Sequence, residues 1–276
     1  NITAAKDLVL LFGTFDINNE AEDGRITKVP DEIVVHPNWN SLGDRFNDDI
    51  AILILGSEIP FSNNIKPICV NSEKFQPSEG VVVAWGKSED QLKKFENLPR
   101  KLKVQSMNNE DCFLNFSELA KIAWKKSFCA GNADKTAGVC LGDSGGGFFV
   151  KLNHKFYFKG FVSSGVAVSG SADFGTDCYT VNNAVYTDIS EYLDFIGFQT
   201  PKQACGVMSS ESSLIVGGEA SKREQFPWIA SIFRREDETS AHQHRGSGSL
   251  ITITHVVTRA ISVATPKNFE AYPANH

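Results

Sequence analysis

Apolar residues fall in short runs along the chain, not on one face of a helical repeat. Leu8 to Phe12, Ile50 to Leu55, Val81 to Trp85, Phe156 to Val162 and Ala184 to Thr187 are rich in β-branched, leucyl or aromatic side chains. Gly, Asn, Asp and Ser turns separate them. Runs of that length between turn residues predict strands, and their number predicts a barrel or sandwich. Helical pattern is confined to Ser117 to Lys126 and to the end of the run Asp188 to Ile196, where Ser190 is placed to cap a short helix. After Ile196 the composition turns to Gly, Pro, Ser and Glu through Ser213, the pattern of a linker or pro-segment. A second β-rich part follows to about residue 264, and then a polar stretch.

The length of 276 residues suits one large domain or two small packed β units. Hydrophobic residues make up 41% and charged residues 22%, as in an ordinary soluble globular protein. The net charge of −6, with no cluster of Lys and Arg, argues against nucleic acid and anionic membrane as partners. No apolar run approaches the ~20 residues of a membrane span. The amino end shows no signal peptide, which points to a processed chain. Six cysteines are widely spaced, with neither a Cys-x-x-Cys pair nor a Cys/His ligand spacing. Disulfides in an oxidising compartment are therefore expected, with no metal and no cofactor. The acceptors Asn1-Ile-Thr3 and Asn115-Phe-Ser117 agree with glycosylation and secretion.

The most specific signal is Cys-Leu-Gly-Asp-Ser-Gly-Gly-Gly, Cys140 to Gly147. It places Ser144 in a tight turn where the backbone N–H groups of Gly142 and Ser144 can converge on an oxyanion, and side chains at the glycines would crowd that hole. Such a loop alone is more often structural. Here it is accompanied by His36-Pro-Asn-Trp39, Asp49-Ile-Ala-Ile-Leu53, Lys66-Pro-Ile-Cys69, Phe128-Cys-Ala-Gly131, Gly160-Phe-Val-Ser-Ser-Gly165, Val185-Tyr-Thr187, Ile215-Val-Gly-Gly218 and Phe226-Pro-Trp228. Together these motifs resemble the chymotrypsin/trypsin family of serine proteases over nearly the whole chain.

The resemblance implies an all-β fold of two packed six-stranded antiparallel Greek-key barrels, with a short C-terminal helix on the second. Residues 215–276 and 1–76 would form the first barrel, 77–200 the second, and 201–214 a linker or activation segment. As numbered, the order of the chain is then permuted relative to the family, either because 201–276 naturally precedes 1–200 or as a true circular permutation. Ser144 matches the nucleophile, Asp49 the carboxylate that orients the base, and Gly142 with Ser144 the oxyanion hole. Asp143 matches the acceptor of the new amine of Ile215 after cleavage behind Leu214. Gly138, Ser163, Ser164, Gly165 and Ala184 match the primary specificity pocket. Gly138 in place of an acid argues against Lys or Arg selection. The implied disulfides are Cys69–Cys205, Cys112–Cys129 and Cys140–Cys178.

Two departures occur together. The family's Thr-Ala-Ala-His-Cys reads Thr258-Arg-Ala-Ile261-Ser262 here, so Ile261 replaces the histidine. An isoleucine can neither take nor return a proton. The cysteine pair that staples that loop is lost at both ends, to Gly246 and Ser262. His255 and His36 read as structural, and His242 and His244 as members of a polar loop. The expectation is a secreted, catalytically inactive protease homologue that binds extracellular proteins, other proteases of a cascade among them. The competing reading is an active endopeptidase with small or apolar primary specificity, supported by the intact Ser144, Asp49 and glycines.

Overall fold

A computed structural model describes residues 3–39, 47–70, 79–87, 95–115, 125–131, 137–165, 183–197, 204–208, 219–235 and 239–264. Two antiparallel sheets carry it. The first contains β1 (Leu8–Phe12), β2 (Ile26–Lys28), β3 (Glu32–Val35) and β4 (Ala51–Ile54), completed by strands from the far end of the chain. Those are β12 (Ile229–Arg234), β13 (Gln243–Leu250) and β14 (His255–Thr258), and the spatial order is β2-β1-β12-β13-β14-β4-β3. The second sheet is built from β5 (Glu79–Ala84), β6 (Arg100–Met107), β7 (Ser127–Gly131), β8 (Gly147–Leu152), β9 (Lys155–Gly165) and β10 (Asn183–Asp188). Its order β6-β5-β8-β9-β10-β7 closes through a β6–β7 pairing into a six-stranded barrel, with the two-residue β11 (Glu219–Ala220) on the outer edge of β6.

Why the strands read as continuous apolar runs is visible in where alternate residues go. Along β5, Val81 and Val83 point into a core shared by the two sheets, while Val82 points into the interior of the second barrel. In β8, Phe149 joins the shared core and Phe148 and Val150 the barrel interior. Ile52 of β4 likewise faces the shared core, and Ala51 and Leu53 face inside the first sheet. Both faces are buried, so no polar face is left to alternate.

Aromatic rings fix the shared core. Trp228, fully buried, stands edge-on to Phe149 at 5.5 Å between centroids and lies 5.5 Å from Phe156. Residues from the two ends of the chain thereby meet. Thr3 N–H donates to the carbonyl of Val263 (3.2 Å), and Arg235 pairs with Asp7 at 2.9 Å.

One helix was not anticipated by the sequence reading, and one cap falls on a different residue. Helix α1 (Asn109–Asn115) precedes the predicted helix at Ser117 to Lys126, of which only 125 and 126 are among the described residues. Asn108 accepts from the N–H of Glu110, and Asn109 clamps β7 by accepting from Cys129 N–H and donating to the Ser127 carbonyl. After β10 the described helical structure is a 3-10 turn (Ile189–Glu191), capped by Asp188, which accepts from both the N–H and the hydroxyl of Ser190. Aspartate wins because its carboxylate precedes the turn and reaches the orphan donors.

Cys69–Cys205 and Cys112–Cys129 are bonded. Cys140 is disulfide-bonded as well, and its expected partner Cys178 lies outside the described residues. So do Asn1 and the Phe116-Ser117 part of the second acceptor. Asn115 itself ends α1. No helix among the described residues is long and apolar enough to cross a membrane.

A guanidinium in the candidate active site

Asp49 stands two residues before the start of β4, preceded by Asp48 in the left-handed region at φ 50°. Lys126 holds the Asp48 carboxylate at 2.8 Å. This bend turns the Asp49 side chain inward, where it has no solvent exposure. A buried carboxylate needs donors, and Asp49 has three among the described residues. Its Oδ1 accepts from the N–H of Ile261 at 3.1 Å. Its Oδ2 accepts from the hydroxyl of Ser163 at 2.9 Å and from Nε of Arg259. Ser163, on β9, is one of the residues expected to line the pocket, and its hydroxyl serves to orient Asp49.

Arg259 is the residue that the sequence reading passed over. It follows β14 and precedes the single turn α2 (Ala260–Val263) in extended conformation, at φ −76° and ψ 135°. That geometry aims its side chain into the cleft, and the residue is 9% exposed. Nε reaches Asp49, and Nη1 donates to Ser144 Oγ at 2.9 Å. The guanidinium therefore bridges the carboxylate and the serine hydroxyl, the two groups that an imidazole would join in a triad. Ile261 is half-buried beside them, and its main chain rather than its side chain contacts Asp49. The pair was foreseeable in one respect. A cation at the end of a buried strand requires a buried anion, and Asp49 was the carboxylate whose expected partner was missing.

The turn that carries Ser144 is held from both sides. Gly145 N–H donates to Val162, Gly146 N–H to Asp143, and Ser247 N–H to the carbonyl of Ser144. Gly142 adopts φ +93°, and a Cβ there would lie 2.5 Å from the ring of Phe95. Both facts demand glycine. The carboxyl of Asp143 accepts from the N–H groups of Gly86 (3.0 Å) and Cys140 (2.7 Å). Burial outweighs those bonds and pushes it up to about 7. Ile215, its expected ammonium partner, lies outside the described residues.

In the pocket segment, Ser164 and Gly165 at the end of β9 are half-buried and pair with Val185 and Ala184 of β10. Ala184 is buried, and Gly138 is half-buried two residues before Cys140. The stapling bridge is absent as read. Gly246 sits at φ +146°, and a Cβ built there would meet the Ser144 carbonyl at 2.4 Å and Ser262 Oγ at 3.4 Å.

None of the described histidines hydrogen-bonds to the side chain of Asp49 or Ser144. His255 opens β14 and binds the hydroxyls of Thr252 and Thr254 through Nδ1, at 3.1 and 2.9 Å. His36 packs edge-on against Tyr192 and Phe195 and accepts from Asn38 N–H. Burial lowers its basicity more than Asp48, 3.8 Å away, raises it. His244 is not part of a polar loop. It lies on β13, buried between Phe95 and Phe233 at 5.2 and 5.4 Å. This burial pushes its imidazole down to about 4. His242 lines a cavity of about 550 Å³ with Leu11, Ile17, Arg25 and Phe233, on the β1–β2 side of the first sheet.

Known proteins agree with this architecture. The chain is 24% identical to serine protease gd of Drosophila melanogaster over 70% of its length. It is 30% identical to phenoloxidase-activating factor 1 of Holotrichia diomphalia over 60%, and 28% identical to the CLIP domain-containing serine protease HP8 of Bombyx mori over 63%. It spans less than half of each of these proteins: 42%, 43% and 46% of their lengths. Residues 2–196 match the family profile described as Trypsin, and with two antiparallel sheets meeting at a serine, an aspartate and a glycine turn, the chain belongs to the trypsin family.

Proposed function

We propose that this trypsin-family chain does not hydrolyse peptide bonds and acts by binding extracellular proteins within a proteolytic cascade. One observation carries the reading: Ser144 Oγ accepts a hydrogen bond from Arg259, not from a group that can take its proton. A guanidinium carries five N–H donors and no acceptor. It cannot act as general base, and its charge is already committed to Asp49. Ile261, at the histidine's position, offers only an alkyl side chain.

Three further features support a binding role. Gly142 and Asp143 keep the oxyanion turn in place, so the cleft retains a shaped surface. Ser163, Ile261 and Arg259 satisfy Asp49, so the cleft is stable without a histidine. The relatives include a protein named for activating phenoloxidase and CLIP domain-containing proteases of insects, which supports the cascade setting. The disulfides support secretion.

The test compares turnover of nitrophenyl esters of small and apolar N-blocked amino acids by the natural chain and by its Ser144→Ala variant. Equal rates at the uncatalysed background are expected. Turnover by the natural chain that is lost in Ser144→Ala would establish the competing reading, an active endopeptidase.

A further inference from the structure

Leu8, Leu10 and Phe12 of β1 point into the core of the first sheet. Alternation turns Val9 and Leu11 to the opposite face, where the outside of a sheet ordinarily carries polar residues. Pairing across the strands places them beside two more residues of that face, for Val9 lies opposite Phe233 of β12 and Leu11 opposite Thr27 of β2. With Ile17 these side chains wall the cavity of about 550 Å³, a volume within the ~300–1,000 Å³ of small-molecule sites. Phe233 is backed by the buried ring of His244 at 5.4 Å, which keeps that wall in place.

The polar wall of the cavity holds a cation without a counter-charge. Nη1 of Arg25 donates to the carbonyls of Ile17 at 3.3 Å and of Asn19 at 2.7 Å. Those bonds fix the guanidinium but bring no negative charge to it. Its Nε and Nη2 donate to no group among the described residues, and no carboxylate there pairs with it. That free edge is the fork that takes a carboxylate through two parallel bonds. His242 stands on the same wall, and its imidazole bonds to no described residue. Glu20, exposed and likewise without a partner among the described residues, also lines the cavity. Its charge repels a second acid group, which favours a ligand with one carboxylate over a run of acidic side chains.

We propose that this cavity binds an amphipathic monocarboxylate, with an alkyl chain against Val9, Leu11, Ile17 and Phe233 and the acid head on the Nε–Nη2 edge of Arg25. The site uses none of the residues around Ser144, so its occupancy is independent of whether Ser144 is a nucleophile.

Isothermal titration of the full chain with decanoate, decanol and the peptide acetyl-Phe-Glu-Glu-Asp amide, the first two below any micelle formation, distinguishes the outcomes. Decanoate should bind at one site, about 10-fold tighter than decanol or more. Arg25→Gln should bring decanoate down to the affinity of decanol and leave decanol unchanged, and Arg25→Lys should restore only part of the difference, because an ammonium lacks the fork. Thr27→Trp, at an exposed position on β2, fills the cavity without touching Arg25 and should abolish binding of both. No saturable binding of decanoate, equal affinities for acid and alcohol, or binding indifferent to Arg25→Gln and Thr27→Trp would overturn the proposal. Tighter binding of the acidic peptide than of decanoate would overturn it too, by making the occupant a protein segment.

Discussion

Restoring the histidine alone should not restore the enzyme. Ile261→His returns an imidazole to the position whose N–H already donates to Asp49 Oδ1, but Arg259 still holds Oδ2 and Ser144 Oγ. The imidazole can act only in molecules where the guanidinium has swung out. Breaking a buried ion pair costs about 3–5 kcal/mol, so the open fraction would be of order 10⁻² to 10⁻⁴. Adding Arg259→Ala removes the competitor and leaves the new imidazole to satisfy Asp49. The double variant should therefore exceed the single by ~10²- to 10⁴-fold in kcat/KM, against a deficit of order 10⁶ for a missing base. The assay is turnover of nitrophenyl esters with small apolar acyl groups, with Ser144→Ala added to each variant as the blank. A single variant as fast as the double would refute the lock, and would mean that Arg259 yields without cost.

Other outcomes follow from the same contacts. Asp49→Asn leaves Arg259 buried beside a neutral amide and should lower stability by about 3–5 kcal/mol in urea unfolding; a loss under 1 kcal/mol would show that the pair is solvated. His244, pushed down to about 4 by burial, is neutral in the fold where the unfolded chain binds a proton. Stability should fall as pH drops from about 6.5 toward 4, and His244→Leu should remove up to ~3 kcal/mol of that fall; equal acid limbs for both proteins would contradict it. Gly246→Cys with Ser262→Cys should leave both thiols titratable and destabilise the chain, because the added Cβ meets the Ser144 carbonyl at 2.4 Å. A formed bridge at unchanged stability would show that the turn gives way freely.

The strands were legible because each core here buries both faces of its strands, which prints unbroken apolar runs such as Val81, Val82 and Val83. Ser144 and Gly142 were legible because a tight glycine turn tolerates few residue types, and Asp49 because it stands in a run of motifs in the family's order. Arg259 was not, because comparing motifs position by position assigns the histidine's place to residue 261. A long flexible side chain anchored two residues earlier can fill that place from another direction. The bond from Ser163 to Asp49 went unread for a related reason: strand position sets which residues neighbour the cleft, while the rotamer sets which group each hydroxyl serves. His244 had the opposite problem. Its polar neighbours Gln243 and Arg245 suggested a loop, but alternation along β13 turns it inward against Phe95 and Phe233.

Phosphonylation of Ser144 asks most directly whether its hydroxyl is a nucleophile. A diphenyl phosphonate with a small apolar side chain, followed by intact mass, should modify the natural chain no faster than its Ser144→Ala variant. Stoichiometric labelling at Ser144, at the rate of an active trypsin-family protease, would contradict the claim that Arg259 has replaced the base.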